Sequence, residues 1–364
     1  MIRVAVAGLG KMGISHLSIF NAHPLLKVTA VCDPTGYILD VLNKYTGIPV
    51  YPDFDAMLKD AELDAVVIAT PSRFHGTMVE AALNKGLHVF CEKPFCLDPA
   101  EAKRLAELAE AKGLVNQVGY HYRFVGAFQE VKRLLDAGAI GPVSHILAEA
   151  YGPVVLKAKG STWRTQKSEG GGCLYDYAAH PINLLNWYFG AANTVSGSVL
   201  GKIFSRDTDD EVMSTLHFDQ GITAQVSVNW SDESYRKMST KITIWGANGR
   251  ITADRQECQA YLRKAPANLD GYKDGWNVHY TTDLTDEVWF YVRGEEYSAQ
   301  VDHFAQCVAA KRVGTESSFA SAAQTDDILT MIRLDAERGP ATLEGRPAAK
   351  APAPKRFSLF GGKA

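Results

Sequence analysis

The first 120 or so residues alternate short apolar runs with segments of helical period. Strand-like runs fall at Arg3–Ala7, Lys27–Cys32, Asp64–Ala69, His88–Cys91 and Asn116–Gly119. Helical patterns fall between them, from Met12 to about Ala22 and at Asp55–Lys59, Thr77–Lys85 and Pro99–Lys112. The run Asp64-Ala-Val-Val-Ile-Ala69 is apolar at consecutive positions, as in a strand buried on both faces. Strand and helix in strict alternation predict a parallel, doubly wound sheet.

After roughly Tyr120 the period becomes two. Ile222, Ala224, Val226, Val228 and Trp230 alternate with Thr223, Gln225, Ser227 and Asn229, and Met238–Trp245 repeats the pattern. Ile251, Tyr261 and Val288–Val292 lie in further strand-like runs, and Asn248-Gly249 is a hairpin signal. One buried face and one wetter face describe an open, mostly antiparallel sheet. Its aromatics (Trp230, Trp245, Trp289, Tyr291) fall on both faces, so association of two sheets into a homo-oligomer, dimer or tetramer, is expected. A simple cover of helices is the alternative. Glu295–Lys311 and Ala320–Glu337 return to helical period, and from Gly339 onward the chain is rich in Ala, Pro, Lys and Gly.

The expected architecture is α/β. A dinucleotide-binding unit spans residues 1–122, an α+β unit with a large open sheet spans 123–338, and an extended tail spans 339–364. A chain of 364 residues exceeds the usual single core. Its 46% hydrophobic and 22% charged residues are ordinary for a soluble protein, and a net charge of -3 gives no electrostatic reason to bind nucleic acid or an anionic membrane. No apolar run reaches spanning length, and the strand beginning at Ile2 leaves no room for a signal peptide, so a cytoplasmic location is expected. The six cysteines are scattered, without C-x-x-C or zinc-ligand spacing; they read as free thiols filling the core, and no metal is expected.

Candidate chemistry begins with Gly8-Leu9-Gly10-Lys11-Met12-Gly13, which follows a strand and opens a helix, with Asp33 twenty residues after its last glycine. That context makes the G-x-G-x-x-G pattern a Rossmann fingerprint: the glycines give a tight turn and close approach to a pyrophosphate, and the helix N-terminus offers free N–H groups. Asp33 suits hydrogen bonds from the adenosine ribose and repels a 2′-phosphate, so NAD is expected rather than NADP. Thr70 and Pro71 follow a strand end and are candidates for the nicotinamide ribose side. His75 either contacts cofactor or caps the next helix.

Glu92-Lys93-Pro94 leaves another strand end, and Pro94 biases Lys93 away from helix. Glu92 is a candidate to orient or partly neutralise the Lys93 ammonium. Asp176 and His180 follow Gly170-Gly171-Gly172 in a helical pattern; four residues apart, they are expected to share a face, with the carboxylate orienting the imidazole. The set suits oxidation of an alcohol: His180 takes the hydroxyl proton and Lys93 stabilises negative charge on oxygen, or the two exchange roles. Tyr120, Arg123, Trp163 and Arg164 are candidate contacts to a polyhydroxylated ring or a phosphate, or else packing between the two units. The glycine triplet either approaches the cofactor closely or is a flexible loop.

With these residues the chain resembles the Gfo/Idh/MocA family, the glucose–fructose oxidoreductase and inositol dehydrogenase group. The resemblance runs over nearly all of positions 1 to 338. It is carried by the glycine loop, Val67-Ile68-Ala69-Thr70-Pro71 with His75, Glu92-Lys93-Pro94, Gly119-Tyr120-His121-Tyr122-Arg123-Phe124, and the glycine triplet leading to Asp176 and His180. It implies a nicotinamide held between the two units, sugar or cyclitol substrates, and catalytic places for Lys93, Asp176 and His180. Alternatives within the same scaffold are an NAD-dependent glycosidase using transient oxidation, a dehydrogenase of nucleotide-linked sugars, and a non-catalytic sugar-responsive regulator.

Overall fold

The computed structural model describes residues 1–157 and 162–339. It opens with the expected alternation: β1 (Ile2–Ala7), α1 (Lys11–Ala22), β2 (Leu26–Cys32), α2 (Gly36–Thr46), β3 (Val50–Tyr51), α3 (Phe54–Asp60), β4 (Ala65–Ile68), α4 (His75–Asn84), β5 (His88–Cys91), α5 (Pro99–Ala111) and β6 (Asn116–Val118). The six strands form one parallel sheet in the order β3-β2-β1-β4-β5-β6, so the order reverses at β1 and β4. Every residue of β4 is buried, as its unbroken apolar run requires. Local signals set the helix starts. Asp53 caps α3 by accepting from the Ala56 N–H (2.8 Å), and Asp98 caps α5 ahead of Pro99, accepting from the Ala100 N–H (2.9 Å).

After α6 (Gly126–Asp136) comes the second sheet: β7 (Val143–Tyr151), a helix α7 (Ala179–Phe189), β8 (Thr194–Gly201), β9 (Glu211–His217), β10 (Thr223–Asn229), β11 (Ser239–Gly246), β12 (Gly249–Ala253), β13 (Glu257–Leu262) and β14 (Gly275–Tyr280). The order is β14-β13-β12-β11-β7-β10-β9-β8, antiparallel except for the parallel pair β7–β10. Gly246 pairs with Gly249 across the tight β11–β12 turn, the hairpin that Asn248-Gly249 announces. One face carries Ile146, Ala148, Ala150, Val226, Ile242 and Ile244 into the core. The chain ends its described course with α8 (Thr281–Leu284), α9 (Glu295–Ala309) and α10 (Phe319–Arg338). The tail expected over 339–364 lies, from residue 340, outside the described residues.

One expected strand is absent. Val288–Val292 is irregular, because its apolar side chains pack back on the first sheet instead of joining a ladder: Trp289 meets His23 edge-on at 4.7 Å, and Phe290 and Val292 lie against the core of α1 and β1. Trp230, expected on a sheet face, is fully buried with its Nε1–H donating to Asp210 (2.7 Å). The outer face of the sheet is marked instead by Trp245, Met213, Tyr261, Trp276 and Val278.

Two late helices tie the sheets together. α9 returns to the first sheet, where Phe304 packs with Phe20 and Phe90 (ring centroids 6.2 and 5.9 Å). Each buried ring of this kind stabilises the fold by about 2–3 kcal/mol. α10 lies against both α5 and β8, and its Phe319 stacks on Phe95 at 4.2 Å, three residues from Glu92. The edge of the first sheet is thereby held against the second unit. Among the described residues no helix is long and apolar enough to cross a membrane.

Asp326 on α10 is fully buried; its Oδ2 accepts from the Cys96 N–H (3.0 Å), its Oδ1 has no hydrogen-bond partner among the described residues, and burial pushes its pKa well above 3.8. The unfolded chain ionises this carboxyl first, so stability falls as pH rises from about 4 toward the folded pKa. Asp326→Asn keeps an acceptor for Cys96 and removes the titration. Urea denaturation is expected to find the variant more stable than the parent at pH 8, by on the order of 1 kcal/mol, and close to it at pH 4.

Candidate active site

The cofactor crevice is built by the turn from β1 into α1. Gly8 has φ +88°, and a Cβ there would stand 2.7 Å from the Ala69 carbonyl group. A Cβ on Gly13 would stand 1.7 Å from the Gly8 oxygen, so only glycine lets α1 close on β1. Gly10 differs: nothing lies within 4 Å of the place its Cβ would take. That open side lies over an α1 N-terminus with no side-chain cap, where the first backbone N–H groups of a helix are left for an anion. Asp33 closes the rim. Its Oδ2 accepts from the Leu9 N–H (2.7 Å) and its Oδ1 from the Thr35 N–H (2.8 Å), which leaves lone pairs on both oxygens for further donors. This cradle fits a dinucleotide.

At the next strand end Thr70 is partly buried and Pro71 exposed. His75 is buried: its two ring nitrogens sit 2.8 Å from the Pro94 carbonyl oxygen and 2.9 Å from that of Thr70. It ties the two strand-end turns together and does not cap α4.

Lys93 leaves β5 through a cis Lys93–Pro94 bond. Its Nζ donates to Asp176 twice, to Oδ1 at 2.7 Å and to the backbone oxygen at 2.9 Å. Arg164 Nε donates to the other carboxylate oxygen, Asp176 Oδ2, at 3.1 Å, with its guanidinium stacked 4.4 Å over the Trp163 ring. Burial alone would raise the Asp176 pKa; the two cations overcome it and hold the carboxyl below its ordinary value.

The expected pairing of Asp176 with His180 does not form. Residues Leu174–Ala178 make a π turn before α7, which alters the i, i+4 register. Pro181, one turn on, has no N–H to give backwards, and the Asp176 carbonyl accepts from Lys93. His180 instead packs among aromatic rings, 4.8 Å from Tyr122 and 5.0 Å from His121, and His121 stacks on Tyr297 of α9 at 4.5 Å. Burial, then Lys93 and Arg255, push its pKa well below 6.5, so the ring is neutral at pH 7. Its Nδ1 has no hydrogen-bond partner among the described residues.

Three other expectations change. Glu92 does not neutralise the Lys93 ammonium by contact: its Oε1 is 2.6 Å from His16 Nε2 and its Oε2 accepts from the Lys93 backbone N–H (3.1 Å). Arg123 is internal, donating to Asn183 Oδ1 (2.7 Å), Ser321 Oγ (2.7 Å) and the Glu316 carbonyl; burial lowers its pKa to about 10. Tyr120 is buried behind His180, its ring 6.2 Å away. Neither side chain is exposed, and the Tyr120 hydroxyl has no hydrogen-bond partner among the described residues. Trp163 and Arg164 are partly exposed, with Arg164 on Asp176.

The glycine triplet packs closely against its own chain. A Cβ would meet Leu97 at Gly170, the Arg164 carbonyl at Gly171 and Asp209 Oδ1 at Gly172, at 2.7, 2.4 and 2.5 Å. With Arg73 of the first unit ion-paired to Glu169, the segment crosses between the two sheets and delivers Arg164 to Asp176. The sequence did not single out His16, Tyr297 or Asp209. His16 lies three residues after the glycine loop, and its apolar surroundings were the one hint.

Residues 2–120 match a family described as an oxidoreductase family with an NAD-binding Rossmann fold, and residues 128–252 match the Gfo/Idh/MocA C-terminal domain. The chain belongs to the Gfo/Idh/MocA family. It is 28% identical over 318 residues to scyllo-inositol 2-dehydrogenase (NAD(+)) of Bacillus subtilis, covering 84% of this chain and 86% of that protein. Identity is 30% over 256 residues to dTDP-3,4-didehydro-2,6-dideoxy-alpha-D-glucose 3-reductase of Streptomyces violaceoruber, covering 70% and 73%. The structure of levoglucosan dehydrogenase in complex with NADH and levoglucosan superposes with a TM-score of 0.82 at 23% identity, over 93% of this chain and 97% of that one. As a Gfo/Idh/MocA protein the chain is an oxidoreductase with NAD as its cofactor, which agrees with the shape of the Gly10 cradle.

His121 and His180 are both buried with pKa values depressed well below 6.5, chiefly by burial. Their unfolded counterparts protonate first on acidification, so the stability they share in is complete above 6.5 and is lost as pH falls below it. The denaturant midpoint is expected to drop between pH 7.5 and 5.5, and His180→Gln to flatten part of that drop.

Proposed function

We propose that this chain oxidises a secondary alcohol of a sugar, sugar derivative or cyclitol to a ketone with NAD, or runs the reverse reduction. The observation that carries the reading is the meeting of Lys93, from an edge of the first sheet, with Asp176, from the second, beside a neutral His180. The inositol dehydrogenase among the relatives supports the substrate class. Bound nicotinamide supplies the hydride acceptor. The rest falls to the chain. Gly8, Gly10, Lys11, Met12 and Gly13 receive the pyrophosphate and Asp33 the ribose, with Thr70 and Pro71 at the rim.

Lys93 binds the reacting hydroxyl through its ammonium and steadies negative charge on that oxygen. His180, neutral in its aromatic wall, accepts the hydroxyl proton. Asp176 holds Lys93 in place, and Trp163 and Arg164 flank the ring. Of the two arginines offered for a phosphate only Arg164 borders the cleft, which favours an unphosphorylated ring over a nucleotide-linked one. All six cysteines are free and buried, which suits a reducing compartment, and we place the enzyme in the cytoplasm.

The outer face of the second sheet supports self-association. Tyr261 and Trp276 stand 5.4 Å apart on it and Met213 and Val278 are each more than two-fifths exposed, an apolar expanse that a second sheet would cover. Sedimentation is expected to give a dimer or tetramer for the parent and a smaller species for Trp276→Glu.

The activity test is a panel of cyclitols, sugars and nucleotide sugars incubated with NAD, following NADH absorbance. Net NADH formation on a free polyol is expected. Turnover without it would favour a redox-neutral reaction; a relative 26% identical over 79% of this chain is 2,7-anhydro-N-acetylneuraminate hydratase of Escherichia coli. Lys93→Ala is expected to lower kcat by about 10²- to 10³-fold with NAD affinity nearly unchanged. Retained turnover would remove Lys93 from the chemistry.

A further inference from the structure

His16 sits in the second turn of α1, the helix whose N-terminus faces the cofactor. It is completely buried, wedged edge-on against Phe20 and Phe90 at 6.1 and 5.1 Å. An imidazole in so apolar a place costs stability unless its polar atoms are used. One is used strongly: Nε2 lies 2.6 Å from Glu92 Oε1. The other, Nδ1, has no partner among the described residues. The ring therefore serves Glu92.

Glu92 in turn serves Lys93. Its Oε2 accepts from the Lys93 N–H at 3.1 Å, while its own N–H donates to the Ile68 carbonyl of β4 (2.8 Å). Gly119 makes room for it, since a Cβ there would stand 2.9 Å from Glu92 Oε1. Burial pushes the Glu92 pKa up, but His16 above all, then Lys93 and His121, bring it below the usual value, so the carboxylate stays charged. A buried carboxylate with two directed hydrogen bonds has one favourable pose. That pose fixes the turn from which the Lys93 side chain departs.

Resting on the function proposed above, we infer that His16 is a positioning residue for the reaction. It acts through Glu92, linking the cofactor helix to the turn that carries Lys93. Without it, Glu92 loses its fixing partner, is freed to turn toward the Lys93 ammonium, and shifts the Nζ from its place against Asp176. A displacement of about 1 Å at a reacting group costs up to roughly 100-fold in rate.

The test uses the full chain with NAD and the best polyol of the panel. Gln places an amide N–H where His16 Nε2 stands, whereas Asn is too short and Leu has no donor. His16→Asn and His16→Leu are expected to lower kcat by about 10- to 100-fold, with KM for NAD changed less than about threefold. The alkaline limb of the kcat–pH profile is expected to move in both. His16→Gln is expected to retain at least about a third of kcat, with the parent's pH profile. If all three lose rate equally, or Asn and Leu lose none, the inference is overturned. A loss confined to NAD affinity, with kcat intact, also overturns it. Should Leu not fold, the Gln–Asn contrast decides alone. Lys93→Ala separates the two readings: if it stays active, the proposed role of Lys93 fails; if it is inactive and Asn is normal, only the inference about His16 fails.

Discussion

Lys93 and Asp176 are 83 residues apart in the chain, yet one nitrogen of the first donates to two oxygens of the second. Both side chains are nearly excluded from water. Taking such charges out of water costs several kcal/mol for each ion, and their attraction repays it only at close, well-directed geometry. A loosely docked pair of units would therefore be driven apart at this point. The structure resists that with contacts on either side: Phe95 stacks on Phe319, Glu169 pairs with Arg73, and each glycine of the triplet packs against neighbouring chain. The ion pair does not hold the fold together. The fold holds the ion pair, and the cleft between the sheets takes its shape from that demand.

The same constraint explains why the glycines matter where they do. In the first unit they let α1 close on β1 and β4. In the second they let the chain double back tightly enough to bring Arg164 onto Asp176 from the other side. A carboxylate flanked by Lys93 and Arg164 stays ionised in spite of its burial. It offers charge and direction but no lone pair that a proton would readily occupy at neutral pH.

Much of this was legible from the residues. Alternating periods gave both sheets and their character, because buried parallel strands and half-buried antiparallel ones demand different patterns. The glycine loop and the strand-end position of Lys93 were legible because ligands of such sheets gather at the carboxyl edge. What escaped was which side chain touches which. Spacing of four suggested that Asp176 orients His180, but the π turn and Pro181 change the geometry that the rule assumes. Arg123 and Tyr120 have the chemistry of ligand contacts and are used for packing, a choice that tertiary structure alone makes. Val288–Val292 has the pattern of a strand and packs on the first unit instead. α2, α6, β7, β8, β9 and β14 went unplaced as well, and β3 is only two residues long.

The division of charge around His180 follows from these placements. Two carboxylates lie near Lys93, but neither is paired with His180. The nearby charges that shift it are cations, Lys93 and Arg255, and they add to burial in favouring the neutral ring. On the function proposed above, a lysine and a neutral imidazole on one site suit an alcohol oxidation. Had Asp176 paired with His180, its charge would have favoured the protonated ring. The Asp176 carboxylate meets Lys93 and Arg164, and the His180 ring is left neutral among its aromatic neighbours.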